Sequence, residues 1–145
     1  GSYYYHENDY GTLSVNFANT MYDWDNMVDM PTTSSTLVQQ NAVATLMYHC
    51  GVSIDMDYSP EGSGAIPSDV IYALKTYFDY DYNITDAYRN YYTDEQWIEL
   101  LKYEINMGQP VLYSGWDIYG GGHGFICDGY DNNDNFHFNF LPFCL

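Results

Sequence analysis

The chain has 145 residues, 46% of them hydrophobic and 19% aromatic, enough for one domain with a real core and too aromatic for the disordered class. Three basic residues against 20 acidic ones leave a net charge of −17, a field that repels nucleic-acid phosphates and anionic lipid and argues against both as partners. Three cysteines at irregular spacing form neither a disulfide framework nor a zinc ligand set, so no metal and no cofactor are expected.

Gly1 and Ser2 read as a cloning scar outside the fold. Residues 3–24 alternate and are tyrosine-rich, with a turn at "ENDYG", which predicts two short strands. "MPTTSSTLVQQNAVATLMYHCG" then predicts a helix. Thr36 and Gln39 fit a capping box, Val43, Leu46, Met47 and Cys50 form an apolar stripe, and Gly51 is the expected stop. "SIDMDYSPEGSGAIP" carries two prolines and two glycines and reads as a loop.

A second helix is expected from Ser68, burying Val70, Leu74, Tyr77 and Phe78. A third starts at Thr93, again with a Thr–Gln capping box (Thr93, Gln96), and buries Trp97, Leu101 and Ile105 before Gly108 and Pro110. From Pro110 the period changes to strand-like: "PVLYSGW", "HGFICDGY" and "NFHFNF", the last two joined by "DNNDN". Helices followed by an antiparallel sheet predict an α+β fold. The organisation read from this is one domain over 1–145, with N-terminal extended pieces and helices over 3–109 and antiparallel hairpins over 110–145.

Chemistry concentrates in the last hairpin. In "NFHFNF", Phe136, Phe138 and Phe140 share one face, expected to be the core, and His137 and Asn139 share the other. His123 opens the partner strand after a run of glycines that would let another chain approach its ring. An asparagine reaching that imidazole would set its tautomer and orientation, as the third member of a catalytic triad does. Two polar residues on a surface hairpin are the plainer reading of the same pattern. "DGYDNNDN" is dense in oxygen ligands, but it lacks the glycine and distal glutamate of an EF-hand and reads as a hairpin turn. Ser63 in "EGSGA" lacks the strand–elbow–helix context of a serine nucleophile.

Four stretches, "YGTLSVNFANTMYDWDNM", "LMYHCGVSIDMDYSPEGSGA", "DEQWIELLKYEINMGQPVLYSG" and "GGHGFICDGYDNNDNFHFN", together resemble the streptopain family of papain-fold cysteine peptidases, over nearly the whole chain. The resemblance implies a partial papain-like fold and peptide-bond hydrolysis by Cys–His–Asn chemistry. It makes His123 the general base and Asn139 the residue that orients it. Gly62, Ser63, Gly64 and Ala65 would line one side of the substrate cleft, and Trp116, Gly121 and Gly122 the other. In that family the nucleophilic cysteine and the oxyanion glutamine lie upstream of the "YGTLSV" region, so the chain is expected to be incomplete and inert alone. Cys50 and Cys127 fall at core positions, and Cys144 lies in a tail with no helix N-terminus to activate it. After Asn139 the family continues into a Trp-Gly-rich segment, where this chain reads "NFLPFCL".

The partner implied is a peptide or protein substrate, once the missing segment is supplied. A non-catalytic binding module is the alternative. The "NFHFNF" strand is expected to end as an open edge, and open edges pair with other chains, so a homo-oligomer follows. The Tyr/Asn/Asp-rich, lysine-poor composition suggests a secreted or cell-surface bacterial protein.

Overall fold

A computed structural model describes residues 2–4, 11–60, 62–116, 118 and 122–140, with side chains from residue 11 onward. Most of the "ENDYG" turn, and all of Gly121 and Cys144, lie outside these residues. The fold is α+β, as the periodicity predicted, and gathers into two compact units, Gly1–Ile84 and Thr85–Leu145.

In the first unit, β1 (Ser2–Tyr4) pairs antiparallel with β2 (Thr12–Ser14), Ser2 lying across from Ser14. Ser2 is therefore part of a strand. Helix α1 (Leu37–Ser53) starts at Thr36, whose hydroxyl accepts from the Gln39 N–H while the Gln39 side chain accepts from the Thr36 N–H at 2.9 Å. A cap of this kind contributes about 1 kcal/mol. The Tyr48 hydroxyl accepts from the Ser14 N–H and donates to its carbonyl, both at 3.2 Å, which ties β2 to the helix.

Gly51 does not stop α1. The helix runs on to Ser53, and Gly51 is buried in its last turn. The physical reason lies in the loop that follows: a Cβ on Gly51 would collide with the Tyr58 hydroxyl, so glycine serves close packing there rather than chain reversal. The expected apolar stripe is also displaced. Val43 and Leu46 are half-buried, whereas Met47 and Cys50 are exposed. The core instead holds Ala42, Val52, Ile54 and Met56 with Ala73 of helix α2 (Pro67–Tyr77).

Around this core the aromatic rings of the first unit interlock. Phe17 stacks on Tyr77 at 4.4 Å and meets Phe78 edge-on, and His49 lies edge-on to both Phe17 and Tyr22. The Tyr22 hydroxyl and His49 Nδ1 share a hydrogen bond of 3.1 Å, and burial lowers the His49 pKa below its ordinary 6.5.

In the second unit, helix α3 (Asp94–Asn106) starts at Thr93 with the predicted Thr93–Gln96 capping box and ends before Gly108, whose φ is +73°. Strands β3 (Val111–Trp116), β4 (Gly122–Tyr130) and β5 (Phe136–Asn139) form an antiparallel sheet in the order β3-β4-β5. Leu101 of α3 and Cys127 of β4 are the buried hydrophobic residues among those described in this unit. Trp97 Nε1 donates to the Tyr113 hydroxyl at 2.8 Å, so the helix is pinned to the sheet. The Tyr130 hydroxyl donates to Asn106 Oδ1 at 2.9 Å, and Lys102 pairs with Asp134 while lying over the Tyr130 ring. "DNNDN" is the turn expected. Asp131 accepts from the backbone N–H of Asn133 and Asn135 and from the Asn135 amide, which lowers its pKa.

Two predictions follow from the first unit. Gly51→Ala should lower stability by roughly 1–3 kcal/mol through overpacking, and part of the loss should return in a Tyr58→Phe background; urea midpoints of the single and double variants check this. His49 is held neutral on folding while the unfolded chain protonates near 6.5. The unfolded state therefore binds more protons in the window just below that value, so stability should fall as pH drops through it. His49→Gln should flatten the pH dependence of the urea midpoint relative to the parent in that window.

Candidate active site

The predicted site residues fall on three local structures, one in the first unit and two in the second. Gly62, Ser63, Gly64 and Ala65 follow α1 in a clasped loop. The Asp57 N–H donates to the Gly64 carbonyl at 2.8 Å, and the Gly64 N–H returns a bond to the Asp57 carbonyl at 3.1 Å. The Ser59 hydroxyl donates to the Gly62 carbonyl at 2.7 Å. These bonds satisfy the backbone of a loop that has no helix or sheet to do so, and they hold its tip in one shape.

In the second unit β3 pairs with β4 without a bulge, from Val111 opposite Cys127 to Trp116 opposite Gly122. The Trp116 indole is 67% exposed and lies across Gly122, its Nε1 only 3.0 Å from where a Cβ would stand. A side chain at 122 would therefore have to displace the indole slightly. His123 comes next, exposed, directly across from Gly115, and a Cβ at Gly115 would meet nothing within 4 Å. Among the described residues, the space over Gly115 beside the imidazole is therefore open. On the other flank the His123 ring lies 6.1 Å from that of Phe125, with 26° between their planes.

Asn139 is the last residue of β5, half-buried, across from Ile126. Parity within β5 is as expected: Asn139 and His137 share a face, and Phe138 and Phe140 take the other. The register adds what parity within one strand omits. Ile126 lies three positions from His123, so by alternation Asn139 and His123 leave opposite faces of the sheet. Phe138, opposite Cys127, and Phe140, 4.8 Å from Phe125, share the His123 side. By the same alternation Trp116 and Gly122, one position along from the Gly115–His123 pair, lie on the Asn139 face, while His123 shares the other face with Phe125, Phe138 and Phe140. Phe138 is half-buried and Phe140 is 60% exposed, so only part of the phenylalanine face lies in the core.

Sequence reasoning passed over two features. Phe125 is two residues from His123 and so on its face, a signal that strand alternation carries. His137 Nδ1 lies 2.5 Å from Asp128 Oδ1 on the Asn139 side. A β-bulge at Asp128 creates this pair, with Cys127 opposite Phe138 but Gly129 opposite His137, and nothing local in the sequence announces it.

The described cysteines are poor nucleophiles for two different reasons. Cys127 is fully buried, at the core position the family resemblance implied, and burial raises its pKa. Cys50 is exposed as a residue, contrary to its placement in the apolar stripe, yet its thiol is crowded enough by neighbouring atoms that its pKa is also raised.

Residues 1–140 match the Peptidase C10 family. The chain belongs to the Peptidase C10 family. Among its members, streptopain of Streptococcus pyogenes is 34% identical over 118 residues, which make up 81% of this chain and 29% of streptopain. The thiol protease/hemagglutinin PrtT of Porphyromonas gingivalis is 30% identical over 142 residues, 96% of this chain and 16% of that protein. The fold agrees with solved structures from Prevotella intermedia. Active wild-type interpain A cysteine protease superposes with a TM-score of 0.85 at 39% identity, and a prointerpain A fragment with 0.83 at 40%. Each covers 97% of this chain, which in turn spans 61% of the first and 45% of the second. The chain therefore spans less than a third of the curated Peptidase C10 relatives it matches, and its fold is that of their papain-like proteases.

A thiol-specific reagent applied to the native protein at neutral pH should modify Cys50 more slowly than a free cysteine and should leave Cys127 untouched until the protein is unfolded. Peptide mapping after timed quenching reads both, and rapid labelling of Cys127 would contradict the burial described.

Proposed function

We propose that this chain is the histidine-bearing part of a cysteine peptidase. The observation that carries the reading is the family match over residues 1–140, in which an exposed histidine stands at the start of β4 with the space over Gly115 beside it open among the described residues. His123 is the general base. The nucleophilic thiolate is contributed by chain outside these residues, because neither described cysteine favours its thiolate form.

In the proposed cycle the thiolate sulfur attacks the peptide carbonyl carbon and a C–S bond forms. The His123 imidazolium gives its proton to the amide nitrogen as the C–N bond breaks and the amine leaves. His123 then takes a proton from water as its oxygen attacks the thioester carbon, the C–S bond breaks, and the carboxylic acid departs, leaving the thiolate–imidazolium pair restored. Asn139 is retained as the residue that steadies the imidazole. Gly62, Ser63, Gly64 and Ala65 in the first unit, and Trp116, Gly121 and Gly122 in the second, are retained as residues that contact the peptide. Alone, the chain is inactive.

Secretion or surface display by a bacterium belongs to the same proposal, supported by the bacterial sources of the relatives. A second reading, a binding module that associates with its own kind, is favoured by the exposure of Leu112, Trp116, Ile118 and Phe140 on the second unit. It calls for salt-strengthened association in light scattering, because salt screens the charge of −17.

The full-length natural protein that contains this chain should cleave casein, and His123→Ala should lower kcat/KM by roughly 10²–10⁴-fold. Asn139→Ala should cost less, and the 145-residue chain alone should show no turnover. Full activity in the His123 variant, or turnover by the chain alone, would overturn the reading.

A further inference from the structure

We propose that Phe125 is a positioning residue for His123, the ring against which the imidazole is set. This rests on the reading of His123 as the peptidase base, and it begins from what surrounds that side chain. The residues on either side, Gly122 and Gly124, have no side chains, and neither does Gly115 across the ladder. Among the described residues, β5 pairs with β4 only between Ile126 and Tyr130, short of His123. Steric restraint from the strand itself is therefore at its minimum, and an exposed imidazole in such a place samples several rotamers. Phe125 supplies a wall on one side, 6.1 Å away and nearly parallel. Among the described residues, the side over Gly115 stays open for the reacting groups.

A wall is useful only if it does not move, and Phe125 is held by three other rings. Tyr113 stacks on it at 5.4 Å with 20° between planes, Phe138 meets it edge-on at 5.4 Å, and Phe140 lies 4.8 Å away. Tyr113 is fixed in turn by the hydrogen bond from Trp97 of α3. A rigid line runs from helix to strand to strand and ends at the imidazole. Phe140 shares the face but is placed to restrain Phe125, one ring removed from His123. Supported geometry of this kind is what a base needs, since loss of about 1 Å in placement can cost a hundredfold in rate.

The test compares Phe125→Leu, which keeps apolar bulk without a ring, with Phe125→Tyr, which keeps the ring, and Phe138→Leu, which removes another ring of the same cluster. In the 145-residue chain, NMR should show the His123 ring protons displaced, and their contacts to residue 125 lost, in Phe125→Leu. Phe125→Tyr should restore both, and Phe138→Leu should leave the His123 signals in place while lowering stability. In the full-length enzyme Phe125→Leu should lower kcat about tenfold or more with KM little changed. If Phe125→Leu does not fold, Phe125→Met serves in the same comparison. Unmoved His123 signals in the ring-less variant, or an equal kcat loss in Phe138→Leu, would overturn the proposal. A full-length protein that cleaves no peptide bond would instead sink the peptidase reading, and the NMR comparison would still decide whether Phe125 sets the ring.

Discussion

The unbroken ladder between β3 and β4 is the constraint on which the second unit depends. It places Tyr113 opposite Phe125 and Val111 opposite the buried Cys127, and through them it decides that His123 stands opposite Gly115. A slip of one residue would turn Cys127 out to solvent and move the imidazole to the other face, so burial at one end of the ladder holds the chemistry at the other. The bulge at Asp128 comes only after this stretch, in the pairing with β5. Irregularity is thus kept away from the strand segment that carries the histidine.

A chain with a net charge of −17 must resist its own repulsion, and its three cations are spent at structural junctions. Arg89 bonds Asp94 and the Tyr92 carbonyl at the start of α3, Lys102 joins that helix to the turn at Asp134, and Lys75 lies over the Tyr82 ring. Exposed pairs of this kind contribute only about 0–1 kcal/mol each. The larger share falls to ring packing: the Phe17–Tyr22–His49–Tyr77–Phe78 cluster in one unit and the Tyr113–Phe125–Phe138–Phe140 cluster in the other. Tyrosine suits this role because its body packs while its hydroxyl reaches a polar partner, as Tyr48, Tyr113 and Tyr130 each do.

The same economy of polar groups shapes the thiols. Desolvation disfavours a thiolate wherever no cation or helix N-terminus offsets it, and the chain has no cation to spare near Cys50 or Cys127. Membership of the Peptidase C10 family and two unactivated cysteines are compatible once the thiolate is taken to come from beyond these residues, given that the chain spans 29% of streptopain.

The sequence by itself determined the element types, both capping boxes, the turn at Asp131 and the family, because these depend on near neighbours and on residue periodicity. Through the family resemblance it also placed Cys127 inside. Only the tertiary structure decided that Gly51 lies within a helix, that Cys50 is exposed, and that Asn139 pairs opposite Ile126 on the face away from His123. Each of these depends on a partner distant in sequence or on a register between strands. Gly51 answers to the Tyr58 hydroxyl, Cys50 to which side of α1 meets the core, and Asn139 to a bulge that shifts one strand against the next. Parity within a strand says which residues share a face. Which face meets which neighbour is set only when the strands pair, because that choice is made by burial across the whole sheet.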